Sequence, residues 1–584
     1  MTSSLLSRTL VFLALGVAAA VSAETEPLEQ AVADSIFFGG DILTMAGDRP
    51  DYAEALVVTG EEIAFVGTKE ASLRFANEKT EMVDLKGKTL LPGFVDPHSH
   101  VYGVGLQAMV ANVLPPPDGR AETVEEIVRL LSDAKSDPRY KPFIDSTGII
   151  MGFGYDDAEL DRYPLAADLD KVSKDKPVII IHTSGHLSVI NSVAMSLFGI
   201  TADSKDPQGG VIRRKPGSIE PNGVLEENAH FNMLFTVMGR FDEQLQDKML
   251  EAGQRLYATF GYTTVQEGRA SQQAYDTMAR AAENKTLMLD VVAYTDMVSS
   301  SEVMASPYLS QDYRNRFRIG GVKLNFDGSP QGKTAWLTEP YFEPPSGQSK
   351  TYAGYPTFSD QEANRYMATA FENDWQVLTH ANGDAAIEQF INAVEGAIKT
   401  HGEGDRRTVL IHGQTIRQDQ IDRLKDLDIF PSLYPMHTFY WGDWHADSVL
   451  GQPRADFISP TKAVREAGLM FSTHHDAPVA LPSSFRVLDA TVNRTTRTKK
   501  VLGKDQRVDP YTALRAMTIW PAHQYFEEKR KGSLETGKLA DFVILNANPV
   551  KVPPEELIDL VAVETISRGK TVYQRDLSPP ENKQ

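Results

Sequence analysis

The 584-residue sequence contains no cysteine. That absence excludes disulfides, thiolate metal ligands, a cysteine nucleophile and a lipidated cysteine, so any metal here must be held by nitrogen and oxygen. Basic charge is also scarce: 59 Lys and Arg stand against 79 Asp and Glu, a formal net charge of −20. No surplus is left to neutralise phosphates, which argues against nucleic acid as a partner. Long apolar runs are missing except at the N-terminus. There Arg8 precedes the run Leu10 to Val21, which closes in Val21-Ser22-Ala23 before Glu24. This is the form of a cleaved secretory signal over residues 1–23. The run is short for a bilayer span. The expectation is an exported protein, periplasmic or secreted, with no stable membrane span after cleavage.

What is present is an alternation. Short strand-like runs near residues 35–67 and again at Leu539–Leu545, Val561–Ile566 and Thr571–Tyr573 share one character, whereas the middle alternates apolar strand-like runs with helical ones. The matching ends predict one composite β-sandwich, built from residues 24–91 and 531–576. The alternating middle predicts βα units on a parallel sheet over residues 92–530. Eight strand-like runs can be counted there: one ending before His98, then Tyr262–Gln266, Leu287–Ala293, Gly321–Asn325, Gln376–His380, Thr408–His412, Ile429–Leu433 and Gly468–Thr473. Eight is the number a closed barrel needs. The fold class expected is therefore α/β, a distorted (β/α)8 TIM barrel. Between its first two strands lie roughly 150 residues, too many for a bare loop, so an inserted subdomain over 104–258 is expected to roof the site. Residues 577–584 are read as a loose polar tail.

Active sites of such barrels sit at the C-terminal strand ends, and those ends carry one kind of chemistry. The first run leads to His98 and His100, the fifth ends in His380, the sixth in His412, and the eighth runs into His474-His475-Asp476; the fourth carries Lys323, with Asp327 beyond it. Imidazoles suit Zn²⁺, a carboxylate can ligate or take a proton, and two close metals activate water near neutral pH. Lys323 fits such a site only if CO2 converts its amine to a bridging carbamate. Three further residues are candidates for substrate binding: Trp441 in the aromatic loop after the seventh strand, His475, and His186 in the insertion, whose Gly185-His186-x-x-x-x-Asn191 pattern resembles that of a known enzyme family. Gly328-Ser329-Pro330-Gln331-Gly332-Lys333-Thr334 imitates a phosphate-binding loop, but Asp327 stands where its first glycine belongs, and a carboxylate there repels phosphate.

The chain also resembles the amidohydrolase superfamily, in its branch of YtcJ-like enzymes and N-substituted formamide deformylases. The marks are Pro92-Gly93-Phe94-Val95-Asp96-Pro97-His98-Ser99-His100, Val322-Lys323-Leu324-Asn325-Phe326-Asp327-Gly328-Ser329, Thr379-His380-Ala381-Asn382-Gly383-Asp384, Ile411-His412-Gly413-Gln414, His475-Asp476-Ala477-Pro478-Val479 and the closing Gly532 to Val543. The resemblance implies one or two divalent ions, most simply Zn²⁺. His98 and His100 would hold the more buried one, Asp476 would be shared, His380 and His412 would hold the second, and carboxylated Lys323 would bridge. It further implies hydrolysis of a C–N bond other than a peptide bond, through metal-bound hydroxide, with Asp476 as the catalytic acid–base. The substrate would be a small N-substituted amide, formamide or cyclic amide. Two positions depart from the family pattern: Ile411 stands where many relatives have Glu, and His475 where they have Gly or Ser. A lyase, isomerase or C–O hydrolase on the same fold remains an alternative, as does a non-catalytic binding or regulatory protein. A homo-oligomer also stays open.

Overall fold

Eight parallel strands, neighbours in the order of the sequence, form the sheet that positions the site. They are Phe94–Val95, Tyr262–Ala270, Asp290–Asp296, Phe317–Asn325, Gln376–Ala381, Val409–His412, Phe430–Leu433 and Ser472–Thr473. The structure, a computed structural model, describes residues 32–576 except residues 158 and 346. The expected signal and the expected tail lie outside the described residues. Helices follow most strands, among them Gln272–Glu283, Asp360–Glu372, Asp384–His401 and Gln418–Asp426. The third strand leads instead into a short 3-10 turn, Ser301–Ala305. The sheet curls: side chains just beyond its first and last strands approach each other, His98 and Asp476, and the residues between the helices Pro510–Arg515 and Ile519–Gln524 bridge its edges. Val95 N donates to Met517 O at 3.0 Å and Thr473 N to Ala516 O at 3.0 Å. Among the described residues, no helix is long and apolar enough to cross a membrane.

The apolar run before His98 is two strands, not one. Thr89–Pro92 belongs to a second sheet, where it pairs with Phe542–Leu545 on one side and with Ser35–Leu43 on the other. Gly93 makes the step between sheets, where a Cβ would meet the Thr263 side chain at 2.4 Å. Eight strands from both chain ends make up this second sheet, packed over buried Leu56, Leu90, Phe542 and Ile544. The third strand of the curled sheet begins at Asp290, not at Leu287, because Met288 N and Leu289 N donate to the Gln254 side chain, at 2.9 and 3.2 Å, and not to a neighbouring strand.

Between the first and second strands of the curled sheet lies a separate six-stranded sheet, from Ala111–Asn112 to Pro221–Glu227. Its own core contains Ile127, Leu131, Ile150, Val178, Ile180 and Val224. Two helices flank it in sequence, Val101–Met109 and Glu243–Ala258. They meet at Gly105, where a Cβ would lie 2.2 Å from Met249 O. Only glycine permits that approach, and the helix it anchors begins directly after His100.

Candidate metal centre

Two histidines reach the centre of the curled sheet with one ring nitrogen hydrogen-bonded, and a third does so with Nδ1 beside a carboxylate. Nδ1 of His98 lies 2.7 Å from Gln266 Oε1, Nδ1 of His100 lies 3.4 Å from Glu267 Oε1, and Nδ1 of His380 lies 3.3 Å from Asp327 Oδ1. Partners of this kind fix the tautomer and leave Nε2 free to ligate. Asp327 is itself fixed, accepting from Asn382 N at 3.0 Å, Gly383 N at 2.7 Å and Trp336 N at 3.0 Å.

Three Nε2 atoms, those of His98, His100 and His412, converge on Asp476. Its Oδ1 lies 3.4 Å from His98 Nε2 and 3.6 Å from His100 Nε2, and its Oδ2 lies 3.9 Å from His412 Nε2. Ligand atoms on one tetrahedral zinc are spaced by roughly 3.3 Å, given bonds near 2.0–2.1 Å. The donor set therefore fits a divalent ion, and His98, His412 and Asp476 form a group able to hold one. Lys323 Nζ joins them, 2.9 Å from His98 Nε2. His380 closes the set through its ring, 4.6 Å from that of His412, while its Nε2 lies 3.2 Å from Asn382 Nδ2. His98, His412 and Lys323 are buried, whereas His100 and His380 are 27% and 16% exposed, which marks the open side.

Electrostatics follow from burial and proximity. Burial, with Lys323, His474 and His100 nearby, holds His98 well below the usual imidazole range, and burial with His380 and His474 does the same for His412. Both are neutral, as ligands must be. Burial brings Lys323 down to about 7, partly opposed by Asp476. Burial alone would lower His100, but Asp476 and Glu267 raise it to about 9. Burial alone would raise Asp476, but His100, His474 and Lys323 hold it below the usual carboxylate value. His412 and Asp476 both have left-handed backbones, φ 74° and 53°, which cost of order 1–3 kcal/mol each and cluster at functional sites.

The remaining residues singled out by sequence are placed differently. His475 is buried, its ring 5.5 Å from Tyr257 and 5.3 Å from Tyr262, among different neighbours from those of His474. Its burial keeps it away from the open side. His474 packs among His98, His412 and Tyr434, with centroid distances of 5.3, 5.0 and 4.9 Å. Trp441 is 5.2 Å from His437, which is 4.4 Å from Tyr434, so two rings separate it from the cluster. His186 is half-exposed on the inserted sheet, its Nδ1 2.9 Å from Glu227. Asn191, in the pattern that singled out His186, caps the helix Ser192–Leu197 and accepts from Val178 N at 3.0 Å. Lys333 of the phosphate-loop look-alike binds Glu343 O and Ser448 Oγ, at 2.7 and 2.8 Å. Sequence reasoning missed Gln266 and Glu267. Nothing local marked them: the strand Tyr262–Ala270 runs on past both, and the histidines they face follow a different strand.

The sequence pattern of the Amidohydrolase family matches residues 81–573. Among curated proteins, the chain is 27% identical to "Putative amidohydrolase YtcJ" of Bacillus subtilis (strain 168), over 93% of this chain and 99% of the other. It is 25% identical to "N-substituted formamide deformylase" of Arthrobacter pascens, over 90% of this chain and 96% of the other. Among solved structures it resembles an uncharacterized metal-dependent hydrolase from Pyrococcus horikoshii OT3, with a TM-score of 0.71 and 25% identity over 89% of this chain and 99% of that one.

Proposed function

Because the chain belongs to the amidohydrolase family, whose members include metal-dependent hydrolases, we propose that it cleaves a C–N bond other than a peptide bond in a small N-substituted amide, formamide or cyclic amide, on a distorted (β/α)8 barrel. The convergence of three histidine Nε2 atoms on Asp476, with two of those rings tied back through Nδ1, carries the assignment. The similarity to an N-substituted formamide deformylase supports the substrate class. His98, His100 and Asp476 would hold one zinc and His380 and His412 a second, with Lys323 bridging as a carbamate. The Lys323 amine, brought to about 7 by burial, carries the free pair that CO2 requires. When bound, the metals supply Lewis acidity and an activated water at neutral pH.

The side chains do the rest. Asp476, ionised beside His100, takes a proton from the attacking water and returns it to the leaving nitrogen. Gln266, Glu267 and Asp327 keep the imidazoles aimed while that proton moves. His186 and Trp441 belong in this proposal to the substrate side of the site, and residues 1–23 direct the chain out of the cytoplasm.

Purified protein should contain stoichiometric transition metal and release amine from a panel of N-substituted formamides and amides. The His98→Ala, His100→Ala double variant should lose both metal and turnover. Full metal and activity in that variant would sink the assignment, and elimination or isomerisation without amine release would move the chemistry to another class.

A further inference from the structure

The residue after the eighth strand that departs from the family pattern has a definable job. We propose that His475 is a positioning residue which holds Asp476 in its left-handed conformation by acting as a side-chain acceptor across the turn. The inference rests on the hydrolase assignment for its catalytic consequence, but its structural part stands alone.

Ala477 N donates to His475 Nδ1 at 3.0 Å. A side-chain acceptor bonded to the backbone N–H two residues on is the pattern of an Asx turn, in which the residue between is bent. That residue is Asp476, at φ 53°, where a non-glycine side chain is unfavourable without a compensating bond. The other face of the same peptide region is also fixed, because His100 N donates to Ala477 O at 2.8 Å. One turn thus joins the ligand-bearing loop of the first strand to that of the eighth.

The imidazole is confined by its neighbours. With Nδ1 accepting, the neutral ring carries its proton on Nε2, which faces Asp96 Oδ1 at 3.6 Å without hydrogen-bonding to it. Asp96 accepts from His98 N at 3.2 Å and Gln266 N at 3.1 Å. Tyr257 and Tyr262 flank the ring. A glycine or serine at this position would leave that cavity to be filled otherwise. Here the imidazole fills it and supplies the acceptor, so Asp476 Oδ1 stays 3.4 and 3.6 Å from the two histidines of the first strand.

Three variants of the full chain test this: His475→Leu, His475→Ala and His475→Asn. Leucine keeps the bulk but offers no acceptor. Asparagine Oδ1, like histidine Nδ1, is bonded to Cγ and can reach the same N–H. Each is loaded with zinc and assayed for kcat and KM on formanilide, zinc per chain and thermal unfolding; the Leu and Asn variants are also crystallised. The leucine and alanine variants should lose about 10- to 100-fold in kcat or zinc affinity, the usual cost of removing a partner behind a ligand, while asparagine recovers most of it. Leucine at wild-type activity, or asparagine falling as far as leucine, overturns the proposal. So does a leucine variant in which Asp476 keeps φ near +53°. If the wild type binds zinc but leaves formanilide and the amide panel untouched, the substrate assignment fails, and the φ of Asp476 in the leucine and asparagine crystals still decides the role of His475.

Discussion

Gly268 lies directly behind the His98 imidazole, and adding one methyl group there should disable the metal centre. An ideal Cβ at this position would stand 2.6 Å from His98 Cε1, 2.7 Å from His98 Nδ1 and 2.7 Å from Gln266 Oε1. Ordinary contact begins at 3.4 Å, so the ring must retreat by about 0.8 Å (3.4 − 2.6), and overpacking of this kind costs about 1–3 kcal/mol. The ring cannot retreat alone, because its Nδ1 is bonded to the Gln266 side chain that meets the same methyl. Gln266 in turn donates to Pro97 O at 2.8 Å and Tyr525 Oη at 2.6 Å. Misplacing a reacting group by about 1 Å costs on the order of 10²-fold in rate. Gly268→Ala should therefore fold, melt a few degrees lower, and show a rate about 100-fold down with weakened zinc retention against a chelator. Gly396→Ala is the control: it lies on the helix Asp384–His401, and a Cβ there meets nothing within 4 Å. It should match the wild type in zinc and rate, with stability raised by up to about 1 kcal/mol. If Gly268→Ala retains wild-type zinc and rate, the Gln266–His98 lock is not what sets the ligand geometry.

Glu267→Gln weakens the hold on His100 and on Tyr102 N, which Oε2 accepts at 3.0 Å; zinc competition should show about a 10- to 100-fold weaker affinity. Asp290→Asn leaves buried Lys531 and Arg568 short of their shared carboxylate, 2.7 and 2.9 Å away. Denaturant unfolding should report a loss of about 3–5 kcal/mol with zinc content unchanged. The same carboxyl predicts the acid limb. Burial would raise it, but Lys531, Arg568 and Arg316 hold it down to about 2 against an ordinary 3.8. A depressed pKa contributes stability that is complete above the unfolded value and is lost as pH falls through the folded one. Tryptophan fluorescence should therefore record falling stability from about pH 4 to pH 2, a limb that Asp290→Asn flattens; an identical limb in the variant would contradict the sign.

Most strands of the eight-stranded sheet could be read because each is an apolar run closed by polar residues, and ligand-type side chains at or beyond five strand ends could be read for the same reason. Their supports could not. Gln266 and Glu267 act across to the first strand, a pairing of residues some 168 positions apart, and no local pattern encodes which strand end faces which. The split of the opening run at Gly93 was equally hidden, since Leu90–Val95 reads as one apolar stretch although its halves enter different sheets. His475 shows the limit most plainly. The sequence made it a candidate for substrate binding beside Asp476, and only the three-dimensional contacts reveal the acceptor beneath the turn.

The strand Thr89–Pro92 lies between neighbours drawn from opposite chain ends, and this sets a clock on assembly. A nascent chain that has made residues 89 to 100 has one flank of this strand in hand; the other, Phe542–Leu545, follows only after nearly the whole polypeptide has been synthesised. Non-local pairing of this reach is slow to form, because a long loop must be closed before any contact rewards it. The histidines that follow a few residues later, beyond Phe94–Val95, therefore lie next to an anchor that is incomplete until the chain is almost finished. Metal capture and hydrolytic competence arrive last, as a property of the finished molecule and not of any fragment released on the way.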